Sequence, residues 1–401
     1  MSRLRYLLLG VAVIGCSEAH DRSPAAKHSV DENLAAEGQD IFRFDTFGDE
    51  TFWTDTLELN GVVQAAVDPT TALSVGLKVD AEALPAEVVA GIEDGSISLT
   101  DPATTLALLQ LDAVVGLKGR IVNVEGSDEL VGLGVTCALC HSTVDDSYAP
   151  GIGKRLDGWP NRDLNPGAII ALSPAVPSEA KDVYDSWGPG MYDPRFSFDG
   201  ENGPQVIPPA YGLLGVASIT ATGDGDDIQY WNRYVAVTQM GGHGSFQEER
   251  TGVDVTNGTD DLVSDKLPAL QEYQLSLAAP APPAESFDTD AAARGAQVFS
   301  GRGKCAQCHT GPLLTDAGSR LHDASEVVSE PEPNRAPSYA GRSATKQYRT
   351  SPLHGIWQHP PYFHNGSAAT LDDVVDAYNE KKSLELSSEE RADLVQYLKS
   401  L

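Results

Sequence analysis

The sequence predicts a mainly α-helical protein of two folded domains, the first enlarged by long loops. Three observations carry that expectation. The chain has 401 residues, 41% hydrophobic and 21% charged, which is ample for more than one core and too apolar for a disordered protein. Amphipathic stretches with clear start signals close the chain. One proline-rich stretch, Ala278-Ala-Pro-Ala-Pro-Pro-Ala284, forms the sharpest boundary within it.

Residues 1–16 read as an export leader. Met1-Ser-Arg3-Leu-Arg5 is a basic head, and residues 6–14 are an apolar core too short to span a membrane. The end, Val13-Ile14-Gly15-Cys16, resembles a bacterial lipobox, which implies that Cys16 is acylated and anchors a periplasmic lipoprotein. Ser17 stands where retention in the inner membrane uses Asp, which points to the outer membrane. Residues 17–37 are polar without an apolar period and read as a flexible tether, with His20 and His28 solvated. No later run approaches 18 apolar residues, so a membrane is met only through the N-terminal lipid.

Residues 38–278 form the first domain. Thr100-Asp101-Pro102 starts a helix that carries Leu106, Leu108, Leu109, Leu111 and Val114. Residues 150–260 are rich in Gly, Pro, Asp and Asn and read as loops. Residues 279–287 are the linker, and 288–401 form a second, compact domain. It opens with a helix over 288–299, in which Gly295 allows a close approach. Two further helices start from capping boxes, Thr370 with Asp373 and Ser387 with Glu390.

Charge excludes one class of partner. The 58 acidic and 28 basic residues give a formal net charge of −30, which repels nucleic acid and anionic headgroups. A protein partner would carry basic patches.

The five cysteines carry the chemistry. Four stand in two copies of one pattern, Cys137-Ala-Leu-Cys140-His141 and Cys305-Ala-Gln-Cys308-His309. This CxxCH spacing is the attachment signature of c-type haem. Two thiols add across the two vinyl groups of one porphyrin, and the adjacent His falls under the iron. A zinc site would use the four cysteines together and would leave both histidines unexplained. The expectation is two covalently bound haems, with His141 and His309 as proximal ligands. Beyond the two motifs the sequence shows no repeat. The second domain opens and closes with a helix, as a class I cytochrome c fold does. The fold expected is therefore two cytochrome c-like haem domains.

The second domain resembles the C-terminal haem domain of bacterial diheme cytochrome c peroxidases and MauG enzymes. The stretches that carry the resemblance are Arg294-Gly295-x-x-Val298-Phe299, Lys304-Cys305-Ala306-x-Cys308-His309-x-Gly311-Pro312, Tyr348-Arg349-Thr350-x-Pro352-Leu353, Pro361-Tyr362-Phe363-His364-Asn365-Gly366 and Thr370-Leu371. The first domain matches much less well. The resemblance implies electron entry at the C-terminal haem from a small electron-transfer protein. It also implies chemistry on an oxidant such as peroxide at the N-terminal haem. A diheme electron carrier without its own substrate is the alternative. The family also holds a Ca²⁺ between its domains, for which Asp224, Asp226 and Asp227 are the weak candidates here.

Sixth ligands decide between these readings. No Met follows residue 240, so a His/Met iron is excluded within the second domain. The family's ligand Met falls on Tyr378 here, where MauG also has Tyr, with His354, His359 and His364 as rivals. For the first haem the candidates are Met240 and His243, in a Gly-rich loop that allows close approach, while Met191 reads as packing. If the iron is open, Gln247, Glu248 and Glu249 are acid–base candidates. Trp231 and Trp357 read either as links between the haems or as aromatic cover over porphyrin.

Overall fold

The computed structural model describes residues 28–194, 202–225, 227–328 and 338–401. The expected leader, with Cys16, and most of the expected tether, with His20, lie outside the described residues.

Helix α1, Glu32–Phe44, begins inside the stretch expected to be tether. Asp31 caps it by accepting from the Asn33 and Leu34 amides. The Leu-Ala-Ala-Glu run that follows has high helix propensity although it is mostly exposed. The chain just before it is tied down: His28 Nε2 lies 2.9 Å from Glu272, and the Asp31 amide donates to the same carboxylate. His28 is thus engaged rather than free in solvent, and the first unit is ordered before residue 38.

Four helices follow: α2 (Leu59–Ala66), α3 (Pro69–Ser74), α4 (Ala86–Glu93) and α5 (Pro102–Gln110). The last starts as the sequence predicts, with Asp101 as cap and Pro102 in the first turn. Leu111 sits on its cap, and Val114 lies beyond it in a bridge to Val79. An antiparallel hairpin, Leu117–Val124 with Ser127–Val135, then leads into the first CxxCH. Glu125 and Gly126 both take positive φ at its tip, the geometry of a tight two-residue turn.

The region from 45 to 135 therefore consists largely of built elements rather than loops. It leaves α1 and returns beside it: Thr136 Oγ1 donates to the Arg43 carbonyl at 3.1 Å, and the Val135 amide donates to buried Asp49 at 3.2 Å. Next come α6 (Ala138–His141), α7 (Pro166–Ala171), α8 (Ser178–Asp185), α9 (Ile228–Tyr234) and α10 (Leu267–Ser276). A second hairpin, Gly244–Glu248 with Val253–Asn257, lies between the last two. The expected loop region thus contains helices and a hairpin between its turns. The fold remains mainly helical, with small two-stranded sheets in support.

The second unit has α11 (Thr289–Ser300), α12 (Leu371–Lys381) and α13 (Ser388–Lys399). Both expected capping boxes form, on Thr370 with Asp373 and on Ser387 with Glu390. A separate core of Phe299, Leu353, Leu371, Val375, Leu394 and Leu398 holds these helices together. Each such side chain stabilises by about 1.5–3 kcal/mol when fully buried.

The two units share one packing device that the sequence analysis missed. In α11, a Cβ on Gly295 would stand 2.0 Å from the Asp393 carbonyl oxygen of α13. In α1, a Cβ on Gly38 would stand 2.0 Å from the Ala269 carbonyl oxygen of α10. Four residues on, Phe299 meets Tyr397 edge-on at 5.1 Å and Phe42 meets Tyr273 at 5.4 Å. The signal was present as Ala-Ala-Glu-Gly38-Gln-Asp-Ile-Phe42 and Ala-Ala-Arg-Gly295-Ala-Gln-Val-Phe299. The finding of no repeat beyond the haem motifs is corrected accordingly.

The units meet along a polar and aromatic junction. Trp159 and Trp357 stand edge to face, with ring centres 5.9 Å apart. The Tyr211 hydroxyl donates to the Gly355 carbonyl at 2.9 Å, and the Val206 amide donates to the His364 carbonyl at 2.8 Å. Arg342 pairs with fully buried Asp193 at 2.7 Å.

Candidate haem centres

The first motif lies on α6, a single helical turn. The His141 amide donates to the Cys137 carbonyl at 3.2 Å, so Cys137, Cys140 and His141 share one side of the turn. The turn is locked from behind. Gly116 has φ +81, and a Cβ there would stand 2.2 Å from the Leu139 backbone. His141 Nδ1 lies 3.1 Å from the Pro208 carbonyl oxygen. A carbonyl only accepts, so Nδ1 carries the proton and Nε2 keeps its lone pair for a metal.

The second motif repeats this logic on a tighter turn, Cys305–Gln307. Lys304 enters it with φ +56, and the His309 amide donates to the Cys305 carbonyl at 2.9 Å. His309 Nδ1 lies 2.9 Å from the Leu314 carbonyl oxygen, which again assigns the proton to Nδ1.

Electrostatics favours haem over the other uses of such motifs. Burial pushes the Cys137 and Cys140 thiols up to about 12 and Cys305 up to about 11. A redox or nucleophilic CxxC needs its thiol lowered instead. Burial lowers His141 to about 4 and lowers His309 as well, so both imidazoles stay neutral donors. None of the four thiols is in a disulfide. Among the described residues the only His, Cys and carboxylate group compact enough for a metal ion is Cys308, Asp316 and His322. The four thiols therefore do not gather as a zinc site requires. Free thiol pairs and neutral histidines with one oriented nitrogen fit c-type haem, which supplies a redox-active iron that can carry a second axial ligand.

The other sequence candidates have mixed placements. Tyr378, on α12, lies 6.1 Å from the Phe363 ring. Burial first, then the neighbouring Cys305 and Cys308 thiols, raise its phenol to about 12, so the side chain stands beside the second motif. Its rivals are engaged elsewhere. His354 Nε2 lies 2.7 Å from the Pro312 carbonyl oxygen, and His364 stacks on Tyr348 at 4.6 Å. His359 lies 3.4 Å from an Arg162 nitrogen.

Met240 is buried at the end of a π-helical turn, Val235–Gln239, and its carbonyl accepts from Trp53 Nε1 at 2.8 Å. His243 Nε2 lies 3.2 Å from Thr51 Oγ1. These contacts belong to the first core, while His141 is held by Pro208. Met191 is buried beside Gly366 of the second unit.

Of the acid–base candidates, Glu248 is tied into an ion pair with Arg250. It lies in a hairpin strand, and hydrogen bonds from Arg250, then from Tyr230, hold it down to about 2. A carboxylate kept ionised in this way makes a poor proton donor. Gln247 is tied to Asp254, and Glu249 follows on the exposed turn. Of the calcium candidates, Asp224 accepts from Thr220 and Thr222, Asp227 caps α9, and Asp226 lies outside the described residues. Both described carboxylates have local partners.

Trp357 is at the junction, but its partner is Trp159. Trp231 instead packs on Tyr234 and Tyr339. Trp159 sits in a Gly-rich loop without period, so little in the local sequence announces it. Its one signal was a Trp held between Gly158 and Pro160. The Gly158 amide donates to the His141 carbonyl at 2.8 Å, which places Trp159 next to the first motif.

The chain is similar to known haem proteins over part of its length. A family model described as RoxA-like, cytochrome c-like matches residues 347–384. Cytochrome-c peroxidase IdrP2 of Denitromonas iodatirespirans is 31% identical over 143 residues, covering 27% of this chain and 38% of that protein. Methylamine utilization protein MauG of Methylorubrum extorquens is 31% identical over 124 residues, covering 27% of this chain and 34% of that one. The match thus spans less than half the length of these relatives. A solved MauG-like protein associated with microbial copper homeostasis aligns over 51% of this chain and 75% of its own, with a TM-score of 0.36 and 19% identity. In sequence, the chain resembles the cytochrome c peroxidases and MauG, which are haem-dependent oxidoreductases. Among the described residues no helix is long and apolar enough to cross a membrane.

Proposed function

We propose that this relative of the cytochrome c peroxidases and MauG is an exported diheme oxidoreductase of peroxidase type. Cys137 with Cys140 and Cys305 with Cys308 attach the haems, and His141 and His309 bind the irons. Electrons from a small, basic-patched donor protein enter at the C-terminal haem, and peroxide is reduced at the N-terminal one. Cys16 carries the lipid that keeps the protein at the periplasmic face of a membrane, the outer one by preference.

One observation carries this reading. Two CxxCH turns, each with its His held by a backbone carbonyl, lie in units joined by the Trp159–Trp357 contact. Trp159 adjoins the first motif. Trp357 lies three residues from His354, which is bonded to Pro312 just after the second motif. The aromatic pair supports a path between the centres. Its edge-to-face geometry also holds the junction together.

Tyr378 supplies the sixth ligand of the C-terminal iron in this reading. Metal coordination can deprotonate a phenol that burial alone keeps neutral. Met240 is the candidate on the first iron, and its displacement would open that site.

The test is a haem stain on a denaturing gel, followed by spectra of the oxidised protein with and without cyanide. Wild type should keep two haems, and C137A/C140A and C305A/C308A should each keep one. Cyanide should bind at one haem, displacing Met240 from the first iron. Two low-spin haems that ignore cyanide would establish the electron-carrier alternative, and haem lost on denaturation would refute covalent attachment.

A further inference from the structure

Several interior guanidinium groups have carboxylate partners. Arg155 Nε lies 3.1 Å from Asp80, Arg43 Nε lies 2.6 Å from Asp157, and Arg342 pairs with Asp193. Arg162 differs. Its Nη1 donates to the Pro361 carbonyl at 3.0 Å, and its Nη2 lies 3.4 Å from His359 Nδ1. Among the described residues its Nε is buried without a hydrogen-bond partner. Burial lowers the guanidinium toward about 10, and the groups that act against this are the Tyr211 and Tyr362 phenols rather than an acid. Burial, then the Arg162 charge, pushes His359 down to about 3, so this neighbour is neutral. A guanidinium held largely out of water without a counter-ion is costly. Among the described residues no carboxylate pairs with Arg162, which leaves its guanidinium able to take one from a ligand.

The backbone shows which ligand. The Asn161 amide donates to the Cys140 carbonyl at 2.9 Å, and the Gly158 amide donates to the His141 carbonyl. Arg162 thus leaves directly from the strip of chain that braces the first CxxCH turn. Its guanidinium reaches across the junction to Pro361 and His359 of the second unit. A haem bound at that turn brings two carboxylates of its own.

We propose that Arg162 binds a propionate of the haem carried by Cys137 and Cys140, and so ties that haem to the 359–361 segment of the second unit. The proposal rests on the reading that the first motif carries haem. A planar guanidinium can give a carboxylate two parallel hydrogen bonds, which an ammonium cannot. A cation held at a haem propionate would also favour the less positive, reduced state of that haem.

The experiment compares holoprotein of wild type, R162K and R162Q. A haem stain first establishes that both haems are attached. Resonance Raman then reads the propionate bending bands, and spectroelectrochemistry reads both midpoint potentials. The haem lost in C137A/C140A identifies which potential belongs to the first unit. R162Q should shift a propionate band and lower that potential alone. R162K should shift the band and keep most of the potential, and it provides the same test if R162Q fails to mature. Unchanged bands and potentials in either attached variant would overturn the proposal, as would a shift confined to the second haem. A wild type without haem at the first motif would instead overturn the underlying reading and this proposal with it.

Discussion

The two units bring their opening and closing helices together in the same way but with very different lengths of chain between. In the second unit α11 hands over to its CxxCH within six residues of Phe299. In the first unit a hairpin and four helices intervene between Phe42 and Cys137. The helix crossing nevertheless keeps its glycine, its phenylalanine and its tyrosine at matching positions. The crossing is set by backbone contact, which only glycine permits, and so cannot vary. The chain between helix and motif has only to return to its point of departure.

Breaking the crossing should have the largest effect. Gly295→Val and Gly38→Val place carbon atoms against a backbone carbonyl and should each cost about 3 kcal/mol or more. Chemical denaturation followed by haem absorbance would check this, and a mild effect in one unit would show that the crossings are not equivalent. Next is Gly116→Ala, which combines a positive φ with a clash against the Leu139 backbone. It should cost about 2–3 kcal/mol and reduce haem at the first motif while the second stays full. The second unit has its own test in Tyr378. Tyr378→Phe should change the spin state of the C-terminal haem alone, and Tyr378→Met should raise its potential. An unchanged spectrum would reduce Tyr378 to packing.

A pH effect belongs to the first unit. Glu248 is depressed to about 2, so its contribution to stability is complete above the unfolded carboxyl value of about 4.3 and is lost as pH falls toward 2. Glu248→Gln should flatten that part of the acid unfolding curve and leave the region above pH 6 with a constant offset. The smallest effects sharpen the second unit. Thr370→Ala and Ser387→Ala each remove a side-chain cap and should cost about 1 kcal/mol in thermal or denaturant unfolding.

What the sequence revealed followed from local chemistry. Both capping boxes and the Asp101-Pro102 start depend on residues close together in the chain, and all form as read. The hairpin before Cys137 escaped notice because its turn is the unremarked pair Glu125-Gly126. The opening helix escaped because its first turn fell within a stretch judged by polarity alone, while most of its buried side, Gly38, Ile41 and Phe42, lies beyond that stretch. Arg162, Trp159 and Pro208 were illegible for another reason. Their roles come from partners far along the chain, and nothing local distinguishes them from other loop residues. Glu248 differs, because its state depends on the nearby Arg250 and Tyr230, brought onto it by a hairpin the sequence did not announce.

The unequal spans also set an order of closure. Gln39 reaches Tyr273 across 234 residues, whereas Arg294 reaches Asp393 across 99. The extra loop entropy is small, about 0.8 kcal/mol, because it grows only with the logarithm of length. The kinetic consequence is larger, since distant contacts form slowly. The second unit can close from its own last hundred residues. The first must wait until α10 exists, and until then its haem turn depends on the hairpin and Gly116 behind it. The excursion between α1 and the motif supplies the Gly116 brace behind the attachment turn, a contact made without the α1–α10 closure.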